Sequence, residues 1–140
     1  MTQTTESAHG EIILYQRDDG ADAIEVQMVD GTVWLTQQQL AELFSTSRRN
    51  IGIHLQNIYE EGELTESATR KDFFQVRHEG LRAVTRAIPH YNLDAIISVG
   101  YRVKSATATR FRMWATERLH ELGLATNLGP SGGIQFWPRR

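Results

Sequence analysis

Cysteine is absent from the 140-residue sequence. Without it there can be no disulfide, no thiolate zinc site and no thiol nucleophile. The chain must hold itself together by core packing, and a domain of this length is large enough for that. Long apolar runs are missing too: none approaches the roughly 18 residues that a membrane-spanning helix needs. Met1–Gly10 is polar and lacks the basic and apolar segments of a signal peptide, so the expected compartment is the cytoplasm, with no membrane partner. The five histidines (His9, His54, His78, His90 and His120) show neither a His-x3-His nor a His-Glu-x2-His spacing, the patterns that place two imidazoles on one metal. No glycine-rich phosphate loop is present. His78 beside Glu79, and His90 with Asp94, come nearest to an acid–base pair, but adjacency in sequence does not make one. The expectation is a protein that is not an enzyme and takes no cofactor or metal.

What the sequence does have is a polarised charge. The formal net charge is only −2, which at first argues against a nucleic-acid partner. Its distribution argues otherwise. Residues 1–35 carry seven acidic side chains against Arg17 alone, and Glu60, Glu61, Glu63 and Glu66 add a second acidic cluster. Residues 69–120 carry ten Lys and Arg against four acids. Each run taken singly is also what a solvated face looks like. A basic second half beside a DNA-binding pattern favours a phosphate-facing surface.

The apolar periodicity divides the chain. Residues 1–10 read as a disordered lead-in. Glu11–Gln16 and Asp22–Val29 read as strands joined by turn residues at Arg17–Gly20, with Ile24, Val26 and Met28 alternating in the period of a half-buried strand. Asp30-Gly31 is a hairpin turn pair, and Thr32–Leu35 a short third strand. At Thr36 the period changes to that of a helix. Thr36 and Gln39 form a capping-box pair, and Leu40, Ala41, Leu43 and Phe44 mark one helix face. Ser45-Thr46-Ser47 breaks it. Ser47 caps a second helix with Ile51, Leu55 and Ile58 on one face, and Gly62 ends it. Phe73–Val76 and Ala83–Ile88 read as a second hairpin near 72–88 that Pro89 closes. Asn92 caps a short helix ending near Gly100, and Ser105–Leu122 reads as a longer one, with Phe111, Trp114, Ala115, Leu119 and Leu122 as its core face. Residues 123–140, rich in Gly and Pro, read as an irregular tail in which Trp137 alone could dock. The expected fold is thus a single α+β domain over 11–122: an N-terminal antiparallel β-meander, a helix-turn-helix at 36–60, a second hairpin and two C-terminal helices.

The segment Thr36–Ile58 carries the functional reading. A DNA-binding helix-turn-helix needs a small residue where the helices cross, a turn residue four positions on, and a branched apolar residue six positions after that. Ala41, Ser45 and Ile51 hold those spacings, and Leu55 continues the buried face. Ser45 stands where glycine is common, because the turn visits positive φ. The spacing leaves Ser47, Arg48, Arg49, Asn50, Ile53 and His54 outward, and Arg and Asn are the side chains that match guanine and adenine edges in the major groove. Thr36 and Gln37, at the start of the first helix, complete the candidate surface. Arg70, Lys71, Arg102 and Lys104 are candidates for flanking phosphate contacts. The plainer alternative is an ordinary helical hairpin with Arg48 and Arg49 on a solvated face.

The stretches Val33–Gln37, Leu40–Phe44, Ile58–Leu64 and Tyr91–Val103, with Phe111-Arg112-x-Trp114-Ala115-Thr116, resemble the virulence protein RhuM family over roughly residues 11–122. The resemblance implies a fold akin to the Bro-N and KilA-N domains of phage and large-virus proteins, which are thought to bind DNA, and a setting in mobile-element or toxin-associated loci. It also implies a longer C-terminal region, so the chain reads as a shortened member. It brings no catalytic residues. The expected function is a regulatory DNA-binding module acting on double-stranded DNA, with a homodimer needed for a useful specific site. The alternative is a protein–protein adaptor or antitoxin-like partner of a Fic or death-on-curing toxin.

Overall fold

The computed structural model describes residues 10–17, 20 and 22–121; residues 1–9 of the expected lead-in, the tail with Trp137, and Asp18 and Asp19 of the first turn lie outside the described residues, whereas Gly10, expected to be part of the lead-in, opens the first strand opposite Val29. The N-terminal meander is formed by β1 (Gly10–Tyr15), β2 (Ile24–Val29) and β3 (Thr32–Thr36). β1 and β2 pair antiparallel from Gly10↔Val29 to Tyr15↔Ile24. Asp30 and Gly31 both take positive φ, 54° and 78°. That is the requirement of a two-residue turn whose twist matches the strands it joins.

β3 passes without a linker into α1 (Gln37–Leu43), followed by α2 (Arg48–Glu60) and a single turn α3 (Glu66–Thr69) that the sequence reading did not include. A second hairpin, β4 (Arg70–Glu79) and β5 (Arg82–Asn92), leads to α4 (Leu93–Arg102) and α5 (Thr107–Glu121). Pro89 does not close the hairpin as expected: β5 runs through it to Asn92. Pairing of β5 with β3 covers only His90, Tyr91 and Asn92, so the missing N–H of Pro89 falls where β3 has already ended. Gly100 does not end α4 either; the helix continues to Arg102.

Meander and hairpin are one sheet. Its order is β1-β2-β3-β5-β4, and every pairing is antiparallel. Residues opposite one another across such a pair point to the same face. Tyr15, Ile24, Val26, Met28, Val33, Leu35 and Tyr91 therefore share one face, and all join the core with residues from α1, α2, α4 and α5. The helices cover that face alone. The other carries Ile12, Leu14, Gln27 and Trp34, with Trp34 buried against Phe73 and its indole N–H donated to the Val29 carbonyl at 2.9 Å. Gly100 has a packing reason: a Cβ there would lie 2.4 Å from Ala108 Cβ and 3.1 Å from the Phe44 ring. Only glycine lets α4, α5 and the end of α1 approach that closely.

Candidate nucleic-acid interface

The helix pair is built by caps. Thr36 Oγ1 accepts from the Gln39 N–H at 3.1 Å while the Gln39 side chain accepts from the Thr36 N–H at 2.9 Å, the reciprocal capping box. α1 ends in a left-handed residue, Ser45 at φ 54. Thr46 N–H bonds the Ala41 carbonyl and Ser45 N–H the Glu42 carbonyl, at 2.9 and 3.4 Å. This is the Schellman arrangement, here made without glycine. Ser47 Oγ then accepts from the Asn50 N–H at 2.9 Å and opens α2. Leu40 and Ala41 from α1, and Ile51, Leu55 and Ile58 from α2, are all buried, so the spacing read as a helix-turn-helix is the packing seam of one. α2 closes on Gly62, φ 77, with Glu63 N–H on the Ile58 carbonyl and Gly62 N–H on Tyr59.

One side chain locks the relative placement of the two helices. Gln37 Nε2 donates to the Arg48 carbonyl at 2.9 Å, tying the N-terminus of α1 to that of α2. Gly52 makes room for it, since a Cβ there would lie 2.8 Å from that amide nitrogen. Gln37 is thus a positioning residue. Thr36 is likewise spent on its cap. Asn50 donates its side-chain amide to Thr46 Oγ1 at 3.0 Å, so it holds the turn rather than facing outward.

Arg48 and Arg49 are different. Both are exposed at the start of α2, and neither guanidinium has a hydrogen-bond or ion-pair partner among the described residues. Arg49, Ile53, Gln56 and Glu60 are exposed at spacings of four, three and four, one continuous stripe along the helix. Ile53 is 45% exposed, an apolar side chain facing water between two polar ones. Gln56 joins this stripe and was not singled out from the sequence; its position one helical turn after Ile53 was the available signal. It donates to Glu60 at 2.9 Å. His54 is half-buried beside the stripe.

The flanking basic residues are mostly engaged elsewhere. Arg102 reaches both Glu61 and Glu63 at 2.8 Å. Its hydrogen bond holds the Glu63 carboxyl below the usual carboxylate range, and both glutamates raise the guanidinium further. Arg70 bonds Tyr91, which raises its guanidinium, and it approaches Asp72 at 3.6 Å and Glu66 at 3.8 Å. Lys71 pairs with Asp30 and sits 5.2 Å over the Trp34 ring, on the face away from the helices. Lys104 is exposed, at φ 56, just after Arg102. It therefore belongs to the C-terminal end of α2, about 20 Å along a 13-residue helix from Arg48. Arg48, Arg49 and Ser47 form one surface; Arg70, Lys71, Arg102 and Lys104 do not join it.

No group of three His, Cys, Asp or Glu side chains suited to a metal occurs among the described residues, and none of their helices is long and apolar enough to cross a membrane. The molecule is, in class, an α+β domain carrying a capped helix-turn-helix on one face of an antiparallel sheet. Over residues 68–125 the chain matches the model of the virulence protein RhuM family, so the family resemblance is shown for that stretch. It covers β4, β5, α4 and α5, including the Tyr91–Val103 and Phe111–Thr116 motifs, and leaves α1 and α2 outside. No curated protein and no solved structure matches the chain.

Proposed function

We propose that the protein binds double-stranded DNA, placing the N-terminal half of α2 in the major groove as part of a regulatory module. The observation that carries this reading is the pair Arg48–Arg49: two exposed guanidiniums without partners among the described residues, at the start of a helix held by the Ser47 cap, the Ser45 turn and the Gln37 tie. A folded chain that leaves two cations uncompensated at a rigid helix start presents a fixed anion-binding geometry. Arg49 matches the guanine O6/N7 edge, and Ile53, one turn on, offers the apolar contact that a thymine methyl takes. The test is fluorescence anisotropy with mixed-sequence duplex at two salt concentrations. Affinity falls steeply with salt, and the Arg48→Ala/Arg49→Ala variant, confirmed folded by its melting curve, binds every duplex more weakly. Equal binding by that variant refutes the assignment. At a guanine contact the loss from Arg49→Ala alone is about 1–3 kcal/mol.

A second reading rests on the other edge of the sheet. β1 is an edge strand with Ile12 and Leu14, 53% and 61% exposed, on its uncovered face. Such an edge suits strand addition by a partner protein, and the adaptor for a Fic or death-on-curing toxin is the form that the family resemblance suggests. Association through that edge is insensitive to salt, and Leu14→Lys abolishes it without touching DNA affinity.

A further inference from the structure

The β4–β5 hairpin is much longer than the sheet requires. β5 pairs with β3 only from His90 to Asn92, whereas β4 and β5 pair with each other from Arg70↔Tyr91 out to Glu79↔Arg82. The core contains nothing between Thr69 and His90. Beyond Asp72↔Pro89 the ribbon is a free arm of about 25 Å. The register fixes where it emerges. Thr36 lies opposite His90, so the arm continues past the end of β3 at which α1 begins. Gln37, the next residue, holds the start of α2. The arm and Arg48–Arg49 are therefore at the same end of the molecule.

One face of the arm, continuous at its base with the Lys71–Trp34 face away from the helices and rotated along the arm by the twist of a two-stranded ribbon, carries Arg77, Arg82 and Arg86 with a single acid, Glu79. Arg77 lies opposite Val84, so Arg82 and Arg86 are its diagonal neighbours, about 7–8 Å away. Only Arg86 is neutralised, by a two-pronged pairing with Glu79 at 2.9–3.1 Å. Arg82 has no partner among the described residues, and Arg77 has only a 3.4 Å contact with the neutral Gln75 side chain. At the tip, Gly80 at φ 68 turns the chain and leaves Leu81 fully exposed. A like-charged cluster on a thin ribbon is repulsive unless an anion compensates it, and an apolar tip between charges has nothing in its own fold to pack on.

We propose that this arm is a second DNA-contacting element, which enters the minor groove next to the major groove taken by α2, with Arg77 and Arg82 along the groove and Leu81 against a base step. A minor groove about 6 Å wide concentrates negative potential that attracts arginine, and apolar side chains at the tips of architectural proteins wedge between base pairs there. The proposal rests on the DNA-binding reading above.

The test uses a duplex selected from a random pool by the full chain and probed with dimethyl sulfate, which methylates guanine N7 in the major groove and adenine N3 in the minor. The natural chain protects both. Arg77→Ala/Arg82→Ala, whose exposed positions leave folding intact by its melting curve, loses the adenine N3 protection and keeps the guanine N7 protection. The slope of log affinity against log salt falls by about two. Leu81→Ser keeps that slope and reduces the bend seen by gel mobility of permuted sites. If adenine N3 protection persists in the double variant, or never occurs in the natural chain while guanine N7 is protected, the arm proposal is overturned and the recognition helix stands. If no duplex is selected, both fall. A change in sedimentation mass in place of the minor-groove effect makes the arm a protein contact, through its opposite face with Phe74 and Val76, and also overturns the proposal.

Discussion

Ser45 and Lys104 show what single positions cost this fold. Both occupy the left-handed region, φ 54 and 56, and both sit one residue past a helix cap where a Schellman pair needs it. Thr46 N–H reaches Ala41, and Ser105 N–H reaches Gly100. A side chain there is strained by about 1–2 kcal/mol, partly offset because glycine gains freedom in the unfolded chain. Ser45→Gly and Lys104→Gly each therefore stabilise by about 0.5–1 kcal/mol, read as a raised melting temperature; a fall at either position contradicts the strain argument. Gly100 has the opposite character. Gly100→Ala forces a Cβ into Ala108 and the Phe44 ring, and overpacking of this kind costs about 1–3 kcal/mol. His90 adds a pH term. It is 1% exposed, stacked on Phe73 at 4.5 Å, and burial holds its imidazole below the ordinary value despite the Ile88 carbonyl at 2.9 Å. A depressed folded-state value means that the unfolded chain takes up the proton first, so this contribution is complete above pH ~6.5 and is lost as pH falls below it. The melting temperature should drop between pH 7 and pH 5.5, and less so in His90→Phe; equal drops would remove His90 from the account.

Elements divide by how local their causes are. The capping box at Thr36–Gln39, the Ser47 cap, the Asn92 cap and the Gly62 stop all act within a few residues, and each was readable from the sequence because of it. So was the seam of Ala41, Ile51 and Leu55, since its period is internal to the helices. The arm was only half legible. Alternation at Phe73–Val76 identifies a strand, but a strand period is the same whether its apolar face is covered or bare. Phe74 and Val76, 61% and 58% exposed, are bare. The proline rule is local and makes Pro89 a terminus, while the tolerance of Pro89 within β5 depends on where β3 ends, some fifty residues earlier. Since the core contains no residue between Thr69 and His90, replacing 74–87 with a two-residue turn should leave the urea midpoint nearly unchanged. A large loss would show that the arm packs on the body.

At the scale of the whole molecule the charge pattern gains a direction. The sequence showed a basic second half, but a sum along the chain cannot tell which cations are already paired. Arg102 is consumed by Glu61 and Glu63, and Lys71 by Asp30, partners about forty residues away. Among the described cations with no acidic partner, Arg48 and Arg49 lie at one end with Arg77 and Arg82 on the arm, while Glu60, Glu61 and Glu63 gather at the other end of α2, where Lys104 lies beside them. A duplex phosphate backbone is repelled by that acidic end and attracted to the first, so α2 meets DNA by its N-terminal half, with its C-terminus and the neighbouring Lys104 turned away. This orientation is testable without knowing the target sequence. Lys104→Ala should leave affinity for mixed duplex unchanged at low salt, although its charge equals that of Arg49. Glu60→Gln, which removes the acid closing the exposed stripe and keeps its shape, should strengthen binding several-fold at low salt and less at high salt, where screening shortens the reach of the charge to about 8 Å or below. Should Lys104→Ala weaken binding as much as Arg49→Ala does, the helix lies along the groove in the reverse sense and the acidic cluster is not the far end of the interface.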